Sequence, residues 1–240
     1  MSKKIIKKNN KIVKYDGKAL AISKESGVKK LLDYTKSCYQ LFYGNKNIID
    51  LTGYLEYNDT SNVTNMGSMF YNCTNLTTIP QLDTSNVTDS YAMFSGCSKL
   101  TTIPLLDTSN VTSNGYMFNN CVKLSKVDIT HYKISSSSSN SYFCYGCYSL
   151  KAIIIRSFGS SYTLAANAFN NCYHLLGAVD STYNPEGLKD GYIYVPRNMI
   201  ETLSNATNWS THASQFRALE DYTKDGTTTG EFDDEKAGLL

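Results

Sequence analysis

At 240 residues and a formal net charge of +2, the chain has neither a basic nor an acidic surplus, so composition excludes general recruitment to nucleic acid or to an anionic membrane. No sustained apolar run follows the lysine-rich start Met1 to Lys14, and neither a secretory leader nor a membrane span is expected. Cysteine numbers seven, an odd total that argues against a complete disulfide framework and for reduced thiols.

Residues 1–33 read as an N-terminal cap. Lys11 to Tyr15 and Ala19 to Ile22 are strand-like and flank Asp16-Gly17, a hairpin-turn pair. From Tyr34 a degenerate repeat opens, with Leu41-Phe42, Asn45, Ile48 and Leu51 at positions that recur below. Asp-Thr-Ser-Asn-Val-Thr is then written three times, from Asp59, Asp83 and Asp107, a step of 24 residues. In phase with it return Met69-Phe70, Met93-Phe94 and Met117-Phe118, then Cys73, Cys97 and Cys121, then Leu76, Leu100 and Leu124. A fixed period of this length marks a solenoid, whose units hide their apolar side by stacking on their neighbours.

Within one unit, Leu76, Ile79 and Leu82 are expected to face inward from an extended segment, Val87 to fill the far side, and Met93-Phe94 to lie on a short helical turn ending near Cys97. Stacked in register, Asn62, Asn86 and Asn110 should form a ladder. Pro80 and Pro104 remove a backbone donor at one place in two units, which marks where strand pairing stops. After Thr130 the period loosens: Ser135 to Ser139 reads as an inserted loop, and Cys147 and Cys172 resume the ladder at steps of 26 and 25 residues. The repeat region runs over residues 34–180. Residues 181–222 read as a closing strand at Gly191 to Pro196 and a helical pair carrying Met199, Ile200, Leu203, Trp209, His212, Phe216 and Leu219, with Trp209 covering the open end of the core. Residues 223–240 read as a mobile acidic tail.

These units resemble the BspA-like leucine-rich repeat proteins, which carry Asn-Val-Thr-x-Met, Met-Phe, Cys and Leu-Thr-x-Ile at the same offsets; the likeness extends to Tyr194-Val-Pro196 and Asn208-Trp-Ser210. It implies a leucine-rich repeat solenoid of about six rungs, with short parallel strands, short helical turns and a cap at each end. For function it implies an interaction module, found as bacterial surface adhesins and in phage proteins. The expectation is a non-enzymatic phage virion component on the tail or capsid exterior, made in the host cytoplasm, that attaches to a host surface protein or glycan or to a neighbouring virion protein. The alternative is a bacterial cell-surface adhesin. A homo-oligomer is compatible with either; nucleic acid and membrane are not expected as partners.

The residues offer little catalytic chemistry. His131, His174 and His212 stand on different units without metal-ligand spacing, and no nucleophile elbow or phosphate-binding glycine loop occurs. Cys144-Tyr-Gly-Cys147 matches C-x-x-C, but the repeat accounts for it: Cys147 falls on the ladder and Cys144 takes the place of Phe70, Phe94 and Phe118. No cofactor or metal is expected. The 19 tyrosines are the stronger pointer to binding, since tyrosine gives rigid amphipathic contact area at low entropic cost. Tyr91, Tyr116, Tyr145 and Tyr148, on turns where the copies differ, are the candidate partner-binding residues. The open sheet face, carrying Thr77-Thr78, Thr101-Thr102, Ser125-Lys126 and Lys151-Ala152, ranks second because its side chains are small.

Overall fold

The computed structural model describes residues 6–8, 11–15, 18–19, 36–51, 60–131, 142–159, 168–169, 171–172, 174 and 191–239. Strands β1 (Ile6–Lys8), β2 (Lys11–Tyr15) and β3 (Lys18–Ala19) form an antiparallel sheet in that order. The Asp16-Gly17 turn, Asp59 and the Ser135 to Ser139 insertion lie outside the described residues.

The Met-Phe segments are not helical turns. In each repeat, alternate N–H groups leave the segment for the next repeat: those of Met66, Ser68, Phe70 and Asn72 donate to the carbonyls of Asp89, Tyr91, Met93 and Ser95 at 2.7–2.9 Å. The interleaved groups close turns at home, as from Met69 to the Met66 carbonyl and from Cys73 to that of Phe70. This alternation needs two left-handed residues per repeat: Gln40 and Gly44, Ser68 and Asn72, Ala92 and Gly96, Tyr116 and Asn120, Tyr142 and Gly146, all at φ between 52° and 77°. A helix would keep every N–H inside its own segment; here half of them fasten one repeat to the next. Parallel bridges from Ser37 to Asn65, Asp89 and Ser113 continue the same fastening.

One position alternates between asparagine and glycine for a steric reason. A Cβ added at Gly96 would lie 2.0 Å from Asn72 Oδ1, and one at Gly146 would lie 2.4 Å from Asn120 Oδ1. Each asparagine therefore reaches into the space its glycine neighbour leaves.

The core between the repeats is a column of identical groups. Phe42, Phe70, Phe94 and Phe118 stack nearly parallel with centroids 5.4–5.6 Å apart. At Cys144 the column changes hands, and Phe143 meets Phe118 edge-on at 5.3 Å. All seven cysteines are buried thiols, none of them in a disulfide. The ladder thiols each donate to a carbonyl of the preceding repeat: Cys73 to Phe42, Cys97 to Phe70, Cys121 to Phe94, Cys147 to Phe118 and Cys172 to Cys144, at 2.9–3.1 Å. Each of these carbonyls already accepts a backbone N–H, and sulfur, a weak donor with an apolar body, suits a dry site beside its second lone pair. Burial pushes the Cys73 thiol up to about 11 and that of Cys97 further. The polar bend repeats as well, Asn86 and Asn110 donating to the carbonyls of Ser61 and Ser85.

On the other side of the core a parallel sheet of four strands runs β4 (Lys126–Ile129), β5 (Ala152–Ile155), β6 (Tyr192–Val195) and β7 (Phe216–Ala218). The fold is thus a repeat-like α/β arrangement. The column that reads Pro80 and Pro104 in earlier repeats becomes Asp128, paired with Ile154 and then Tyr194. Where proline stands, adjacent repeats share on this side a single backbone–backbone bond among the described residues, from Thr101 N–H to the Thr77 carbonyl, and continuous strands begin only where a full set of donors exists. Val127, Ile129, Ile153, Ile155, Ile193 and Val195 face the main core.

The opposite face of this sheet corrects the expectation of a mobile tail. Residues 223–239 fold back over it: Phe232 is buried with Ala152, Ile154, Tyr194 and Leu219 in a second cluster. Arg156 grips Asp128 with two bonds of 2.8–2.9 Å and donates to the carbonyls of Thr228 and Gly230. Lys126 pairs with Asp234 at 2.5 Å. The apolar residues on both faces of β5 needed a second cover, and the C-terminal segment supplies it. The expected helical pair is also revised. After a 3-10 turn (Arg197–Met199), α1 (Ile200–Ser204) and a 3-10 helix (Ser210–Gln215), Phe216 lies on a strand and Leu219 in a 3-10 turn, so the two face different clusters. Trp209 is fully buried against Phe158, Phe169 and Phe216.

Candidate functional site

Left-handed geometry turns the Met-Phe segments inside out in a regular way: Met and Phe go to the core, while the residues between them line the outer surface. Three outward positions matter, read relative to the ladder cysteine. Six residues before it stand Tyr39, Gly67, Tyr91 and Gly115; five before, Gln40, Ser68, Ala92, Tyr116 and Tyr142; two before, Tyr43, Tyr71, Ser95, Asn119 and Tyr145. Tyrosine and small residues are therefore mixed along each column, and the gaps left by the small ones join into a groove.

The groove has a volume of about 400 Å³. Tyr43 and Tyr71 close one end as a stacked pair, centroids 4.8 Å apart and planes 9° from parallel. Tyr91 and Tyr116 close the other, 5.7 Å apart and tilted by 58°. Between them the floor is small: Ser68, Ala92 and Ser95, with the amides of Gln40 and Asn119 at the margins. Beyond Tyr116 the aromatic tract continues through Tyr142, stacked at 4.9 Å, to Tyr145, edge-on at 5.4 Å. Tyr43 (48%) and Tyr91 (41%) of the groove are among the few large apolar side chains exposed in the described residues, as is Tyr39 (55%) in the Tyr91 column. Gly67 leaves the space that Tyr39 occupies, its added Cβ falling 3.2 Å from the Tyr39 ring.

Among the described residues no charged side chain lines the groove. Partial burial, and then the neighbouring Tyr142 and Tyr91, push the Tyr116 phenol up from its ordinary 10.0, so at neutral pH the ring presents a hydroxyl. Ser95 Oγ donates to Asn119 Oδ1 at 3.2 Å, and Asn120 Nδ2 donates to the same oxygen at 3.2 Å. That arrangement engages the Asn119 oxygen twice.

Of the four tyrosines singled out from sequence, Tyr91 and Tyr116 sit at the groove and Tyr145 on its extension. Tyr148, although 42% exposed, stands one residue past the ladder cysteine and outside the tract. Tyr39, Tyr43, Tyr71 and Tyr142 were missed. Their signal was present: Tyr43, Tyr71 and Tyr145 all stand two residues before the Asn45, Cys73 and Cys147 ladder positions. The open sheet face divides in two, with Thr78 and Thr102 exposed and the part around Lys126 and Ala152 covered by the C-terminal segment.

Two other constellations were tested for chemistry. His131 Nδ1 lies 2.8 Å from Ser157 Oγ, but Ser157 donates its own proton to the Thr130 carbonyl at 2.7 Å. The imidazole is thus the donor in the pair, the reverse of nucleophile activation. Cys144 and Cys147 are wholly buried in the core column, and burial raises Cys144 well above the usual thiol range. Among the described residues no group of three or more His, Cys, Asp or Glu is arranged to hold a metal ion, and no helix is long and apolar enough to cross a membrane.

No curated protein matches the sequence. A family described as "Mycoplasma protein of unknown function, DUF285" matches residues 36–158, just over half of the chain and all of the tyrosine groove. With that span covered, the chain belongs to the DUF285 family.

Proposed function

We propose that this is a non-enzymatic binding protein, a BspA-like leucine-rich repeat solenoid of about six rungs, that attaches to its partner through the tyrosine groove. The observation that carries the reading is the groove itself. Four tyrosine rings from four successive repeats converge on one uncharged depression, and core packing does not explain them, because each has a core-facing neighbour that does that work. Aromatic side chains that are large, rigid and partly wet are the usual anchors of recognition surfaces.

The setting proposed is the exterior of a phage virion, on tail or capsid, with a host surface protein or glycan or a neighbouring virion protein as partner. This part rests on the repeat resemblance. The second reading is a bacterial cell-surface adhesin, favoured by the family description, which names a cellular source. Antibody labelling of purified particles and of intact cells, followed by electron microscopy, separates them: label on particles supports the virion, label on cells the adhesin. Label on neither, with the chain found only inside cells, refutes attachment as its role.

A further inference from the structure

We infer that the groove takes a neutral oligosaccharide, running along the axis on which the repeats stack. The inference rests on the attachment reading and names its ligand class. Its first support is charge. With no cationic side chain in the lining, a phosphate, sulfate or carboxylate would be buried without a partner, and no carboxylate is present to hold a cation.

The second support is the pairing of surfaces. A pyranose ring has an apolar C–H face and a rim of hydroxyls that both donate and accept. The rings of Tyr43, Tyr71, Tyr91 and Tyr116 wall the groove, Tyr43 and Tyr71 each with one face taken by their mutual stacking, and between them the hydroxyls of Ser68 and Ser95 and the amides of Gln40 and Asn119 form a mixed set of donors and acceptors. A proline-rich peptide, the other common guest of aromatic grooves, offers fewer donors along its length than a sugar, because each proline lacks an N–H. The volume, about 400 Å³, is that of a small-ligand site.

The third support is repetition. The tract continues from Tyr116 to Tyr142 of the next repeat and then across that repeat to Tyr145, so further aromatic rings follow the groove. A polymer of rings uses such an extension, and a single small molecule does not.

The test is calorimetric titration of the full chain with neutral mono-, di- and tetrasaccharides of glucose, galactose and N-acetylglucosamine, beside a proline-rich peptide and choline. Saccharide binding should be saturable, tighten with chain length, and weaken roughly tenfold in Tyr43→Ala and in Tyr91→Ala with the melting temperature unchanged. Absence of saccharide binding at millimolar concentration, or binding indifferent to both substitutions, overturns the inference. If the peptide or choline binds instead, and binding needs the tyrosines, the ligand class is wrong while the groove remains the attachment site. If the same substitutions also leave attachment to cells intact, the attachment reading falls with it.

Discussion

Replacing Gly96 with Ala tests the alternating asparagine and glycine positions that fasten the repeats. Gly96 sits at φ 77°, and its N–H is fixed on the Asn119 carbonyl at 2.8 Å, so the backbone has little freedom to relax. Holding an L-residue in the left-handed region costs about 1–2 kcal/mol. The new Cβ would also lie 2.0 Å from Asn72 Oδ1, driving that side chain from its place at a further cost of about 1 kcal/mol. The sum, about 2–3 kcal/mol, should lower the melting temperature by roughly 5–10 °C for a chain of this size. Ala92 already holds φ 52° where there is room, so backbone strain alone is tolerated and the contact with Asn72 is the diagnostic part. In an Asn72→Gly background the penalty of Gly96→Ala should shrink by about 1 kcal/mol, measured by urea unfolding of all four variants. A single substitution within about 0.5 kcal/mol of wild type, or a cycle without coupling, would refute the steric account.

Cys97→Ser buries a hydroxyl in place of a thiol that donates to the Phe70 carbonyl, and should destabilise by about 1–3 kcal/mol; because no cysteine is in a disulfide, dithiothreitol should leave the wild-type melting curve unmoved. Arg156→Met leaves Asp128 buried without its partner and should cost about 3–5 kcal/mol, with proteolysis beyond Tyr222 as the second readout because Arg156 also holds Thr228 and Gly230. In spite of some desolvation, hydrogen bonds from Ser109 and Thr130 hold the Asp107 carboxyl below its ordinary 3.8. Its contribution is therefore present above that value and lost as pH falls through the lower folded one, so the stability difference between wild type and Asp107→Asn should vanish in acid.

The repeat was legible because its period is written in residues that have no substitute. Cysteine, Met-Phe and the valine of Asn-Val-Thr sit in the core, and Asn86 and Asn110 bond to carbonyls of the preceding repeat. The conformation of the Met-Phe segment was not legible, because Ser68, Ala92 and Tyr116 hold left-handed geometry without glycine and read as ordinary helix or turn residues. The packed C-terminal segment was hidden for a different reason. Its acidic composition looks like a solvated tail, and what fixes it is the distant partners Lys126, Arg156 and Tyr194, separated from it by as many as 108 residues. The groove was half legible: Tyr91 and Tyr116 stand out where the copies differ, but Tyr43 and Tyr71 lie 28 residues apart, off the 24-residue step, and only the stacked repeats bring them into line.

The claim that the tyrosine groove is the binding surface is tested most directly by one comparison of surface attachment. Fluorescently labelled wild type, Tyr43→Ala/Tyr91→Ala and Thr78→Trp/Thr102→Trp would be measured on host cells by flow cytometry, each first matched for melting temperature. Thr78 and Thr102 are exposed on the part of the sheet face that the C-terminal segment leaves open, so bulky side chains there block that face without entering the core. Attachment should fall by roughly tenfold or more in the tyrosine pair and stay at the wild-type level in the threonine pair. Loss in the threonine pair with full attachment by the tyrosine pair would place the binding site on the open sheet face and contradict the account.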